Sequence, residues 1–332
     1  MTTPQFQRIL CPTDFSQFSL QALRHAMALS RQFGSRLKIV HVIPQLFPGG
    51  ESLSASAPWL TTPEVRERVD AEMRRFLEPL REARVTHEIE IREGDPWREI
   101  VATAEEMPAD LVVLGTHGRG GLDRVFLGSV AEKLVRRLPC PVFSVSHEEG
   151  RTWAAPGLIT RIVCATDFSP ISIAACGMAI GLAEKFRAEV TLLHVVENVP
   201  DMGDPTFLPI VSVGPLRDDL ERVAIERLSQ AVAESGPLTS TIEPRVAFGR
   251  AYKEILRCAA AERADVIVIG AQGHGIFEHM FSGSNAQHVI RAATCPVLTV
   301  RSVSERVKPE GQATGLALAE PVHAGSLREV SS

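Results

Sequence analysis

The chain of 332 residues lacks a basic excess: 35 Lys and Arg stand against 40 Asp and Glu, a formal net charge of −5. That argues against a broad electrostatic nucleic-acid surface, although a few backbone amides can hold a small polyanion without any net positive charge. It also lacks an apolar run of the roughly 18 residues that a membrane helix requires, so no membrane partner is expected. Residues 1–8 are polar and carry no signal-peptide core. None of the six cysteines forms a C-x-x-C pair, which removes the spacing that zinc or thioredoxin chemistry would use. Cys140 and Cys295 each begin an apolar, strand-like segment and read as small core hydrophobes. A reduced, cytoplasmic setting is the expectation. What is present is ordinary globular composition, 45% hydrophobic and 23% charged, at a length that suggests about two domains.

The chain repeats itself once. Ile9-Leu10-Cys11-Pro12-Thr13-Asp14-Phe15-Ser16 matches Ile162-Val163-Cys164-Ala165-Thr166-Asp167-Phe168-Ser169 at an offset of 153, and His41-Val42 matches His194-Val195 at the same offset. Gly115-Thr116-His117-Gly118 answers Gly270-Ala271-Gln272-Gly273 at an offset of 155, as Pro139-Cys140-Pro141-Val142 answers Thr294-Cys295-Pro296-Val297. A near-constant offset over this distance marks duplication of a whole domain rather than a short solenoid repeat. We expect domains at residues 1–147 and 158–302, a Gly- and Pro-containing linker at 148–157, and a polar, mostly disordered tail at 303–332.

Within the first unit, strands are expected at 8–11, 37–42, 85–91, 111–114 and 142–145. Helices are expected at 16–33, 62–83, 97–106 and around 130–138, with Gly34 stopping the first. The second unit follows the same plan. Strands alternating with helices imply a parallel, doubly wound α/β sheet in each unit, with ligands outside the carboxyl ends of its strands. If the order is 3-2-1-4-5, the first and fourth strands are neighbours, and Asp14 and Gly115 face one crevice.

After the fourth strand of each unit comes a glycine-rich loop. The first reads Gly115-x2-Gly118-x9-Gly128-Ser129, with Gly120 inside; the second reads Gly270-x2-Gly273-x9-Gly283-Ser284, with Gly275 inside. Glycine permits positive φ and lets main-chain nitrogens approach a phosphate, and Gly128-Ser129 opens a helix whose first amides are unpaired. The loop is not a Walker A motif, because no Gly-Lys-Ser/Thr follows. It is not a Rossmann fingerprint, because the first strand leads into Thr13-Asp14-Phe15-Ser16. The helix dipole contributes about 0.3–1 kcal/mol, against the roughly 8 kcal/mol of micromolar binding, so amide hydrogen bonds and a base pocket must supply most of the affinity.

The loop Gly115–Ser129, with Val130-Ala131-Glu132 and Pro139-Cys140-Pro141-Val142 after it, resembles the ATP-binding signature of the universal stress protein family. The resemblance covers about residues 5–147 and 158–302. It implies a five-stranded parallel sheet of order 3-2-1-4-5 in each unit, and ATP bound with Mg²⁺ or Mn²⁺ through the phosphates. It implies that Pro12, Thr13 and Asp14, and their repeats Ala165, Thr166 and Asp167, approach the ribose or phosphates. The main chains of Val42 and Val195 would meet the adenine edge. Gly115, Thr116, Gly118, Arg119, Gly120, Gly128, Ser129 and Val130 would form one phosphate cradle, and Gly270, Gly273, His274, Gly275, Gly283, Ser284 and Asn285 the other. The second loop exchanges Arg119 for His274 and Arg124 for His279, which implies weaker or more pH-sensitive binding there.

Other readings stand beside these. Asp14 and Asp167 would also serve as helix N-caps, and Ser129 and Ser284 can cap and bind at once. His41 and His194 read as packed structural histidines, and Arg119 and Arg124 also suit solvated loop charges. His117 is replaced by Gln272, which argues against a shared catalytic role. No repeated nucleophile–base pair and no His/Cys cluster is found. The function expected is therefore a nucleotide-dependent regulatory module of stress response, not a dedicated enzyme, with slow ATP hydrolysis as a side property. Residues 43–60 and 196–213 would be ordered by occupancy and would serve an unknown protein partner. The alternative is a hydrolase or nucleotidyl-transfer enzyme of the same fold group, although neither a His-x-Gly-His nor a Ser-Gly-Gly motif occurs. The last strand of each unit should be a sheet edge. The resemblance implies that these two edges pair within one chain, and that chains can associate again as a homodimer.

Overall fold

The structure, a computed structural model, describes residues 4–44, 63–83, 85–117, 127–146, 159–197, 213–233, 238–271 and 284–301. Outside these residues lie the linker at 148–157, the tail at 303–332, nearly all of 43–60 and 196–213, and the loop positions Gly118, Arg119, Gly120, Arg124, Gly273, His274, Gly275, His279 and Gly283.

The first half runs β1 (Arg8–Thr13), α1 (Gln17–Phe33), β2 (Arg36–Pro44), α2 (Pro63–Phe76), α3 (Glu78–Ala83), β3 (His87–Gly94), α4 (Pro96–Glu106), β4 (Leu111–Gly115), α5 (Ser129–Arg137) and β5 (Val142–Val145). The second half runs β6 (Arg161–Thr166), α6 (Pro170–Phe186), β7 (Glu189–Val196), α7 (Val213–Ala233), β8 (Ile242–Phe248), α8 (Ala251–Ala261), β9 (Val266–Gly270), α9 (Ser284–Ala292) and β10 (Val297–Val300). No helix among the described residues is long and apolar enough to cross a membrane.

Leu-Val-Val-Leu of β4 and Val-Ile-Val-Ile of β9 are buried along their length, as expected for strands covered on both faces. Helices cover both faces and give each its own apolar core. Leu23 of α1, Met73 of α2, Ala175 of α6 and Leu228 of α7 share one cluster. Ile100 of α4, Leu134 of α5, Ile255 of α8 and Val289 of α9 share the other. Each cluster runs through both halves, so the two repeats bury apolar surface together.

The strands form one ten-stranded sheet of order β3-β2-β1-β4-β5-β10-β9-β6-β7-β8. Within each half the order is 3-2-1-4-5 and all pairs are parallel. The halves meet at β5 and β10, which pair antiparallel with Phe143 opposite Leu298. Ser146 Oγ adds a 3.0 Å bond across this seam to the Ala293 carbonyl oxygen at the end of α9.

One local expectation fails for a physical reason. The helix expected over 62–83 breaks into α2 and α3 at Leu77, because Pro79 has no N–H to donate to the Arg75 carbonyl and its ring crowds that carbonyl, so the helix cannot run on through this turn. β3 forms the outer edge of the sheet, so Ile89 and Ile91 remain 48% and 39% exposed despite their alternation with charged neighbours. All six cysteines are free and buried, as core residues should be, and burial pushes the Cys11 thiol up to about 12.

Candidate functional site

The carboxyl ends of β1 and β4 are adjacent, and a cleft of about 800 Å³ opens beyond them. That volume lies in the range of small-molecule sites. Its floor is Pro12, Thr13 and Asp14 from the end of β1, and Gly115 from the end of β4. One side is Val42, Ile43 and Pro44 of β2. Gly128, Ser129 and Val130 at the start of α5 form the other side. The cleft therefore gathers two sequence segments, the Thr-Asp turn and the end of the glycine loop, that lie about a hundred residues apart.

The turn after β1 is held by its own side chains. Thr13 Oγ1 accepts from Phe15 N at 2.9 Å and bonds Ser19 Oγ at 3.1 Å. Asp14 Oδ1 accepts from Ser16 N at 3.0 Å. Phe15 takes a left-handed φ of 63°, a conformation a bulky residue adopts only under constraint. The ring of Phe15 lies 4.2 Å from that of His41, whose Nδ1–H donates to the Thr13 carbonyl oxygen at 2.8 Å. His41 thus ties β2 to the turn, the structural role expected of it. The helix cap here is Ser16, whose Oγ accepts from Ser19 N at 3.2 Å. Asp14 is not the N-cap: it sits two residues earlier and faces the cleft, so the capping alternative is overturned.

The second half repeats this geometry. Thr166 Oγ1 accepts from Phe168 N at 3.0 Å, Asp167 Oδ1 accepts from Ser169 N at 3.0 Å, and His194 Nδ1–H donates to the Thr166 carbonyl oxygen at 2.8 Å. Phe168 again has a φ of 63°, and Ser169 is the cap of α6. Burial raises the Asp167 carboxyl, but hydrogen bonds from Ser169 and Ser172 outweigh it and hold the group below its ordinary value. The second turn is more open: Asp167 is exposed, and His194 and Val195 are half-buried where His41 and Val42 are buried.

The start of α5 differs from the starts of α1 and α6 in a way that bears on chemistry. Those two helices are capped by serine side chains, whereas Gly128, at the cap position of α5, supplies none. Among the described residues no side chain caps the amides of its first turn, and Ser129, Val130 and Ala131 line the cleft at the positive end of the helix dipole. The Gly128 peptide itself is fixed, its N–H donating to the Thr116 carbonyl oxygen at 2.8 Å. Thr116 is buried behind the wall, with its N–H on the Val145 carbonyl oxygen at 2.9 Å. Its hydroxyl is engaged by the same carbonyl at 3.3 Å and by His117 Nδ1 at 2.9 Å. His117, which lines the cleft, has a buried Nε2 with no hydrogen-bond partner, and burial lowers its pKa, which keeps the ring neutral near pH 7.

Gly115 has a packing role beside its place in the wall. A Cβ there would lie 2.8 Å from the Phe18 carbonyl carbon, so β4 reaches the first turn of α1 only because the side chain is absent. Gly270 repeats the contact, with 3.0 Å to Ser172 N. Of the second cradle, Asn285 lies half-buried in the first turn of α9, which Ser284 opens.

Sequence reasoning missed a whole wall. Val65, Arg68, Val69 and Glu72 of α2 line the cleft opposite α5. Their helix follows residues 45–62, and no motif in the chain announces its approach to the site.

Comparison with known proteins agrees with this architecture. The model of the universal stress protein family matches residues 5–146 and again 159–301. A universal stress protein of Methanocaldococcus jannaschii is 35% identical over 142 residues, covering 42% of this chain and 82% of its own length. One from Mycolicibacterium smegmatis is 26% identical over 297 residues, covering 88% of this chain and 96% of its own. The crystal structure of a universal stress protein from Archaeoglobus fulgidus superposes with a TM-score of 0.65 at 24% identity, covering 90% of this chain and 99% of that one, and shows the shared fold. With two family matches that together span nearly all of its described residues, this chain belongs to the universal stress protein family.

Proposed function

We propose that the protein is a nucleotide-dependent regulatory module that binds ATP, or a related adenine nucleotide, in the cleft beyond β1 and β4, and in the equivalent place beyond β6 and β9. The observation that carries this reading is the uncapped first turn of α5 opening on a cleft that also holds Asp14, Gly115 and Ser129. An anionic ligand would satisfy amides that no side chain among the described residues caps, and the buried, unpartnered Nε2 of His117 is a further polar atom that a ligand would complete. Val42, Ile43 and Ile100 supply apolar surface suited to a base. Gly118, Arg119 and Gly120, with Gly273, His274, Gly275 and Gly283, extend the cradle in this reading.

No group of three metal-ligating side chains occurs among the described residues. Mg²⁺ or Mn²⁺ would thus be held mainly by phosphate oxygens, with Asp14 the carboxylate that β1 delivers to the cleft. The reading is one of binding rather than turnover: the hydroxyl that His117 Nδ1 engages is that of Thr116, which is buried. In this reading the protein acts in the cytoplasm, associates with a second copy of itself and signals to a protein partner.

Calorimetric titration of Mg·ATP into the whole chain tests the proposal. Saturable binding is expected, with its tighter component abolished by Gly118→Ala and its weaker one by Gly273→Ala. Binding that neither substitution changes would overturn the assignment of the loops.

A further inference from the structure

The two ends of the ten-stranded sheet are not protected alike. β3 and β8 are its outer strands. In β8 the Thr241 carbonyl oxygen accepts from Val190 N at 2.9 Å, and Gly249 N–H donates to the Val196 carbonyl oxygen at 3.1 Å. The odd-numbered residues of β8 therefore bond inward, and the even-numbered ones turn their backbone groups outward. Pro244 belongs to the outward set, where the N–H it lacks breaks the row that a further strand would need. In the first half Ile89 stands at this place, pairing with Ile39 as Pro244 pairs with Leu192. β3 carries no proline along His87–Gly94, and among the described residues nothing pairs with its outer side.

The open edge is also self-complementary. Glu88, Glu90 and Arg92 face α4, where Arg92 meets Glu99 and Glu106. Ile89, Ile91 and Glu93 face the other way, toward α2, where Glu93 pairs with Arg66. Ile89 and Ile91 are exposed, whereas Pro244 and Val246 at the equivalent places are half-buried. Two copies related by a two-fold axis through Glu90 would set His87 opposite Glu93, Glu88 opposite Arg92 and Ile89 opposite Ile91. The outward residues 87, 89, 91 and 93 then meet only one another, so backbone groups match as well as side chains. Glu90 meets its own copy on the axis, where each carboxylate is already held by Arg92 at 2.6 Å and Lys38 at 3.1 Å. Shifting the register by two residues in either direction would put an isoleucine opposite His87 or Glu93.

We propose that β3 is an assembly edge, on which a second copy of this chain adds its own β3 antiparallel and extends the sheet across a two-fold axis. The inference rests on the self-association in the reading above and gives it a surface; it does not depend on the nucleotide. Strand addition completes the outward backbone groups and buries the isoleucines of both copies against each other. Because Pro244 blocks the opposite edge, assembly closes at two copies rather than growing as a fibre. So short a strand makes a small interface, which gives a reversible, concentration-dependent dimer. The α4 face carries Glu88, Glu90, Glu99 and Glu106 against Lys38 and Arg92, so two such faces repel in dilute salt. Salt, which screens that repulsion and leaves the apolar contact intact, should strengthen the dimer.

Sedimentation velocity of the full chain over a range of concentrations, at low and at high salt, reads the association. A dimer favoured by salt is expected. Ile89→Pro, which installs the residue of β8, and Ile91→Lys should each weaken it about tenfold or more, since each change acts twice across the axis. Glu90→Cys keeps both isoleucines and sets two thiols opposite each other, in a non-hydrogen-bonded pair whose Cα atoms lie about 4.5 Å apart. Mild oxidation should lock this variant into a covalent dimer. The wild type, whose cysteines are all buried, and Glu243→Cys on the blocked edge should stay uncrosslinked. A dimer that both isoleucine variants leave intact and Glu90→Cys does not trap would overturn this surface while leaving self-association through another face. A chain that stays monomeric at every concentration and salt, with Glu90→Cys uncrosslinked, would remove self-association itself, and this inference with it.

Discussion

The two halves share a skeleton down to single hydrogen bonds, yet differ in the residues that hold it. Phe15 and Phe168 have the same φ, and His41 and His194 make the same bond to the strand before them. Around these fixed points the second half replaces buried His25 with Met178 and the C-cap Gly34 with Arg187. Duplication has preserved the turn that delivers an aspartate to the strand end. The surroundings of that turn have been free to change, so the first half is the more enclosed of the two.

The largest test of this comparison concerns His25. Burial lowers its pKa to about 4. The unfolded chain therefore takes up this proton near its ordinary value of 6.5, before the folded protein does. The stability it contributes is full above that value and is lost as pH falls from 6.5 toward 4. The loss should amount to about 3 kcal/mol. His25→Met, which installs the residue of the second half, should flatten this limb of a urea-denaturation series run against pH. An unchanged limb would mean that other groups carry the acid sensitivity.

Next are the glycines at the ends of β4 and β9. Gly115→Ala forces a Cβ to within 2.8 Å of the Phe18 main chain and should cost about 2–3 kcal/mol. Gly270→Ala meets its nearest neighbour at 3.0 Å and should cost about 1–2 kcal/mol. Denaturant midpoints would show the inequality, and equal costs would mean that the halves pack α1 and α6 alike.

The smallest effect belongs to the helix ends. Gly34 ends α1 at φ 68°, and Arg187 ends α6 at φ 56° in the same left-handed region. Arg187→Gly should stabilise by about 1 kcal/mol, and Gly34→Ala should destabilise by a similar amount. Thermal melts that moved in the same direction for both would contradict the shared geometry.

Much of the fold was legible because its signals are local. Leu-Val-Val-Leu and Val-Ile-Val-Ile read as covered strands, Gly34 marked a helix end, and the repeat at 153–155 residues implied two copies of one topology. The pairing of Asp14 with Gly115 in one cleft followed from strand order rather than from sequence distance. The wall contributed by α2 was not legible. Arg68 and Glu72 look like solvated charges on an amphipathic helix, and they reach the cleft because Val69, Met73 and Phe76 bury the neighbouring face, with Phe76 packed on Phe15. The capping roles were equally hidden, since Asp14 and Ser16 are both good cap residues and the choice between them depends on where α1 begins. Pro79 was visible, but the regular apolar spacing on either side of it concealed the break it imposes.

The central claim is that amides left uncapped at the start of α5 are completed by a nucleotide phosphate. Hydrogen–deuterium exchange with and without Mg·ATP tests it most directly. Slower exchange is expected at Ser129, Val130 and Ala131 on adding the nucleotide, with no change at the first turns of α1 and α6, which Ser16 and Ser169 already cap. Exchange at Ser129–Ala131 that saturating Mg·ATP leaves unaltered would contradict the account.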